Sequence, residues 1–64
     1  MAKVIERKKR ADQELVGSFK RFGPYGVAYE VIKVGDDRVA TIRVIESGET
    51  LAYPVGKILA DPAA

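Results

Sequence analysis

Three clusters of turn-forming residues divide the chain after Leu15: Gly23-Pro24-Tyr25-Gly26, Gly35-Asp36-Asp37 and Ser47-Gly48. Glycine and proline in such clusters punctuate regular structure, and a spacing of about a dozen residues leaves room only for short elements between them. The segments so bounded, LVGSFKRF, VAYEVIKV and VATIRVIE, are rich in Val, Ile, Phe and Tyr, which suit a pleated, half-buried surface. Short strands joined in sequence by tight turns predict an antiparallel meander.

Alternation within the segments assigns faces. Val27, Tyr29 and Val31 share one face of the second strand, whereas Ile32 and Val34 fall on the other. The phase therefore slips near Val31-Ile32, which a bulge or a strand covered on both faces would explain. In the third strand Ala40, Ile42 and Val44 alternate with Thr41 and Arg43, so one face is wet. Leu51 and Tyr53 mark a short fourth strand.

Pro54 ends it, because proline gives no N–H to a ladder but fits the first turn of a helix. Val55, Ile58 and Leu59 follow at helical spacing and are expected to lie on the sheet, and Asp61-Pro62 stops the helix. The expected fold is mainly β. It is a meander of about four strands, forming a partly open SH3-like barrel or a curled sheet, with a short C-terminal helix. Residues 15–64 make this β domain. Residues 1–14 form a basic arm or short helix, with Ala11 and Leu15 as a thin apolar stripe.

Size and composition limit the chemistry. A chain of 64 residues makes one domain. It buries only ~60% of the surface its unfolded form exposes. Domains this small lean on disulfides, metals or association. With no cysteine and no histidine, disulfides and zinc sites drop out, and a homo-oligomer, most simply a dimer, becomes the expectation. The missing cysteines fit a reducing cytoplasm. No run approaches the ~20 apolar residues of a membrane span, and no apolar stretch follows the N-terminal basic residues as in a signal peptide.

The same gaps remove the commonest general base and the thiolate nucleophile, so the chain reads as no enzyme, with no cofactor implied. Ser18 and Ser47 have no candidate base at a recognisable spacing. Asp36, Asp37, Glu46 and Glu49 flank turns, where solvated charge ordinarily sits, and show no calcium-loop spacing.

Charge is unevenly spread. Residues 1–21 hold seven Lys/Arg against three Asp/Glu (+4), and residues 22–64 hold four against six (−2). A basic run, Arg7-Lys8-Lys9-Arg10, precedes a stretch in which Lys20 and Arg21 stand among Phe19, Phe22 and Tyr25. Basic arms meet phosphates or acidic protein surfaces. Aromatic faces beside cations on small barrels stack single-stranded nucleic acid. The competing reading is that Phe19, Tyr29 and Tyr53 are simply core. The candidate binding surface is therefore Arg7, Lys8, Lys9, Arg10, Lys20, Arg21, Phe22 and Tyr25.

Gly17-Ser18-Phe19, Phe22-Gly23-Pro24-Tyr25-Gly26, Tyr29-Glu30-Val31, Glu46-Ser47-Gly48-Glu49, Tyr53-Pro54 and Asp61-Pro62 together resemble a family of small uncharacterised bacterial proteins. The resemblance runs from Val16 to Pro62, leaves residues 1–15 unmatched and implies no catalytic activity. The leading expectation is a non-enzymatic interaction module with an accessory or regulatory, antitoxin-like role, acting through protein contacts. The alternative is a nucleic-acid-binding small β-barrel. The GPYG glycines themselves read as turn chemistry, with Pro24 at the second turn position and Gly26 supplying a positive φ.

Overall fold

The computed structural model describes residues 12–64. Along the chain come β1 (Phe19–Arg21), β2 (Ala28–Val34), β3 (Val39–Val44), β4 (Thr50–Pro54) and a closing helix α1 (Val55–Ala60). Neighbouring strands are antiparallel, and their order in the sheet is their order in sequence. The predicted meander with its short C-terminal helix is therefore present, as one open sheet. Among the described residues, no helix is long and apolar enough to cross a membrane.

The phase slip in β2 is a bulge. Val31 pairs with Ile42 and Lys33 with Thr41, which leaves Ile32 without a partner. Two residues of β2 thus oppose one of β3, and the extra step returns Val34 to the face of Tyr29 and Val31. All three are buried, with Ala40 and Ile42 from β3 and Val55 and Ile58 from α1. Leu15, Phe22 and Tyr53 pack against this cluster from its margin. Truncating Ile58 or Ile42 to alanine would cost about 2–5 kcal/mol, a large part of what a domain of this size has.

Helix α1 begins where β4 runs out of donors. Pro54 holds the N-cap position at φ −63°, ψ 138°, and the Val55 N–H bonds back to the Arg38 carbonyl at 3.0 Å. The helix stops at Asp61, whose N–H still reaches the Lys57 and Ile58 carbonyls while its own backbone is extended. Before the sheet, Asp12 and Gln13 are helical. Gln13 donates its side-chain amide to the Val34 carbonyl at 2.9 Å, and Arg38 meets Asp12 at 3.1 Å. Arg38 is left-handed (φ 60°) at the close of the β2–β3 turn, an unusual conformation for a side chain other than glycine or asparagine.

Five details differ from the sequence expectation. Strand β1 starts at Phe19 rather than Leu15, because residues 14–17 form turns ending at Gly17 (φ 90°). Val27 is 42% exposed although it shares the face of Tyr29, since it occupies the last rung of the β1–β2 ladder. Leu59 is 58% exposed: a six-residue helix touches the sheet along one line, and Leu59 is turned about 100° past Ile58. Phe19 is 50% exposed, opposite Glu30 on the outer face, and Phe22 takes the core place expected of it. Finally, Gly23 rather than Gly26 carries the positive φ, at 73°. Gly26 is required for space, because a Cβ there would collide with the Phe22 carbonyl oxygen.

Candidate functional site

The most connected polar group among the described residues is Asp61, the residue that ends α1. Strand pairing brings its partners together. Tyr29 in β2 and Tyr53 in β4 both face inward, and the Phe22 ring lies between the end of β1 and the first turn. The three rings form a cluster with centroids 4.5, 5.3 and 5.5 Å apart, two of the pairs edge-to-face. Such contacts add to simple area burial. At the rim of this cluster the Tyr29 hydroxyl donates to one Asp61 carboxylate oxygen at 2.6 Å and the Tyr53 hydroxyl donates to the same oxygen at 3.0 Å. The other oxygen accepts the Gly23 N–H at 3.2 Å, and the Lys20 ammonium donates to the Asp61 carbonyl at 3.2 Å.

This arrangement fixes the protonation states. Burial alone would raise the Asp61 carboxyl, but hydrogen bonds from Tyr29, Tyr53 and Gly23, with the Lys20 charge, outweigh it and hold the group below the ordinary aspartate range. Tyr29 is pushed well above the tyrosine range, first by burial and then by its bond to Asp61 and the nearby charge. Tyr53 moves the same way for the same reasons. Asp61 is thus an ionised acceptor with both oxygens engaged, and the tyrosines are neutral donors. Chemically this is a latch: it ties the β1–β2 turn, β2, β4 and the end of α1 to one atom group.

The latch also delivers the C-terminal residues to the outer edge of β1. The Arg21 N–H bonds to the Pro62 carbonyl at 3.0 Å, the Ala64 N–H bonds to the Phe19 carbonyl at 3.0 Å, and Lys20 bridges Ala63 in antiparallel sense. Among the described residues, nothing covers the opposite edge in this way. Val44 bonds to Glu49 at one end of the β3–β4 ladder and Val55 to Arg38 at the other. Hydrogen-bonded rungs alternate in an antiparallel pair, so Leu51 and Tyr53 point their main-chain groups at β3. Thr50, Ala52 and Pro54 point theirs away from the sheet.

The sequence candidates separate in space. Lys20 is half-buried over Asp61, and Phe22 is half-buried between Tyr29 and Tyr53. Arg21 is exposed, and Tyr25, at the tip of the first turn, is 99% exposed. Arg7, Lys8, Lys9 and Arg10 lie outside the described residues. Asp36, Asp37, Glu46 and Glu49 are all exposed on turns, and among the described residues no group of three or more acidic, cysteine or histidine side chains is placed to hold a metal. Sequence reasoning gave Asp61 only the role of helix stop. A usable signal was available: Tyr29 and Tyr53 share the inward face, and a buried phenol needs an acceptor.

Fold and latch define a small open-sheet β protein closed at one edge by its own C-terminal segment. The chain belongs to the family described as Family of unknown function (DUF5397), which matches residues 7–64. No curated protein matches it. The resemblance seen between Val16 and Pro62 is thereby placed in a family without assigned activity, and the match reaches back to Arg7.

Proposed function

We propose that this chain is a non-enzymatic interaction module that works through protein contacts, as a homo-oligomer and most simply as a dimer. One observation carries the reading: among the described residues β4 has no neighbour on its outer side, where Thr50 and Ala52 turn their main-chain groups outward beside exposed side chains. An unpaired edge is a ready template for another strand. The engaged state of Asp61 and the exposure of the turn carboxylates support a binding role over a catalytic one. We read the residues beside β1 as an incipient fifth strand that turns the sheet toward an SH3-like barrel. An accessory or regulatory role in a reducing cytoplasm, antitoxin-like in kind, fits the small size and the lack of reactive side chains. Light scattering across a concentration series tests the association: a mass that rises to twice the monomer supports it, and a constant monomer at millimolar concentration refutes it.

A second reading has its own observation. Tyr25 and Arg21 stay open to solvent at one end of the sheet, as a base-stacking site requires. Lys20 and Phe22, the other two members of that surface among the described residues, are held internally, which narrows it. Salt-dependent retention of single-stranded RNA, lost in Tyr25→Ala, would favour this reading. No binding at low salt would end it.

A further inference from the structure

The free edge has a particular self-complementarity. Resting on the homo-oligomeric reading above, we propose that two copies of this chain pair β4 against β4, antiparallel, about a twofold axis beside Leu51.

Pairing through β4 can use only the outward main-chain groups of Thr50 and Ala52 and the carbonyl of Pro54, which has no N–H. If Ala52 faced itself, the bonds would be equal in number, but Thr50 would lie opposite Pro54, whose ring occupies the place of the N–H and stands against the Thr50 carbonyl. If Leu51 faces itself, Thr50 of each copy lies opposite Ala52 of the other. The symmetric pair then also makes four main-chain bonds, but as two reciprocal Thr50–Ala52 rungs with no proline in either. In that register Pro54 falls opposite Gly48, beyond the bonded rungs. Glu49 falls opposite Tyr53, so no charge meets its like.

Two side-chain features favour the same edge. Strands that must stay unpaired are commonly protected by charged residues. Strands β1, β2 and β3 each carry at least one charge, yet Thr50-Leu51-Ala52-Tyr53-Pro54, the strand with the open edge, carries none. Leu51 lies on the inner face opposite fully buried Ile42 but is itself 37% exposed. The twofold sets the two Leu51 side chains together as a non-hydrogen-bonded pair, the closest kind of cross-strand contact. This continues the Ile42 row of the core across the junction.

The natural absence of cysteine makes the register directly readable. Facing residues in a non-hydrogen-bonded pair stand ~4.5 Å apart at Cα, within disulfide reach, whereas residues two rungs off register exceed the ~7 Å limit. Under mild oxidation Leu51→Cys is expected to cross-link to itself as a covalent dimer, and Ala52→Cys and Glu49→Cys are not. Ala52→Pro removes only a solvent-facing N–H, so it is expected to keep the monomer's circular dichroism and weaken association at least about tenfold. A dimer in which Ala52→Cys cross-links faster than Leu51→Cys overturns the register while leaving the oligomer standing. A trimer or larger ring overturns the twofold. A strict monomer with no cross-link from any variant overturns both.

Discussion

The two edges of the sheet are built oppositely. At β1 the outward main-chain groups of Phe19 and Arg21 are taken up by Ala64 and Pro62. They are held there by a carboxylate that also gathers Tyr29, Tyr53 and the Gly23 N–H. At β4 the outward groups of Thr50 and Ala52 meet no partner among the described residues, and the strand bears no charge. One edge is paired within the chain, and the other has no partner among the described residues. The difference shows how a domain too small for a deep core divides its resources. A polar latch on a ring cluster secures one side, and on the function proposed above association secures the other.

The largest test of this contrast removes the latch. Asp61→Ala leaves two partly buried hydroxyls without their acceptor and releases the C-terminal residues from β1, so urea unfolding should show a loss of about 3–5 kcal/mol. A loss below ~1 kcal/mol would mean that the β1 edge does not depend on the latch.

Next, the same substitution placed on each edge should behave oppositely. Arg21→Pro deletes the N–H that bonds to Pro62 and is expected to cost about 2–3 kcal/mol in monomer stability. Ala52→Pro, whose N–H faces solvent, should cost under ~1 kcal/mol at concentrations where the chain is monomeric. Equal losses in thermal melts would erase the distinction between the edges.

A smaller effect separates the two hydroxyls. Tyr29→Phe gives up the shorter bond, 2.6 Å to a carboxylate, and should cost about 1.5–3 kcal/mol, with Tyr53→Phe costing less. The reverse order in denaturant titration would assign the main role to β4.

The smallest effect is the dependence on pH. Asp61 has a lowered carboxyl in the folded chain, so its contribution is complete above the unfolded value near ~4 and is lost as pH falls through the folded one. The tyrosines are raised, so their contribution is complete below ~10 and is lost as pH rises through the folded values. Stability should therefore decline at both extremes. The Asp61→Asn variant should flatten the acid limb, and an unchanged acid limb would move its cause to other carboxylates.

How much of this was legible in the sequence follows from the range of the interactions. Turns and strand faces depend on residues one to four apart, so the meander, the slip at Val31-Ile32 and the helix after Pro54 could be read directly. Gly23 and Gly26 could be recognised as turn residues, but the positive φ read onto Gly26 belongs to Gly23. The need for Gly26 comes from the Phe22 carbonyl, whose position is set by the whole turn. The candidate surface was legible as composition only. Alternation cannot show that Phe22 enters the ring cluster while Phe19 leaves it.

What the sequence determined by itself is the order of the elements, the inward face of β2 and β3, and an inventory without thiol or imidazole. Tertiary structure alone decided that Asp61, 32 residues from Tyr29 and 38 from Gly23, is the acceptor that unites them. It also decided which edge of the sheet is closed. Both outcomes depend on where α1 carries the chain after β4. A helix of six residues, seated on the core by Val55 and Ile58, returns Asp61 and Pro62 to β1 and, among the described residues, leaves β4 uncovered.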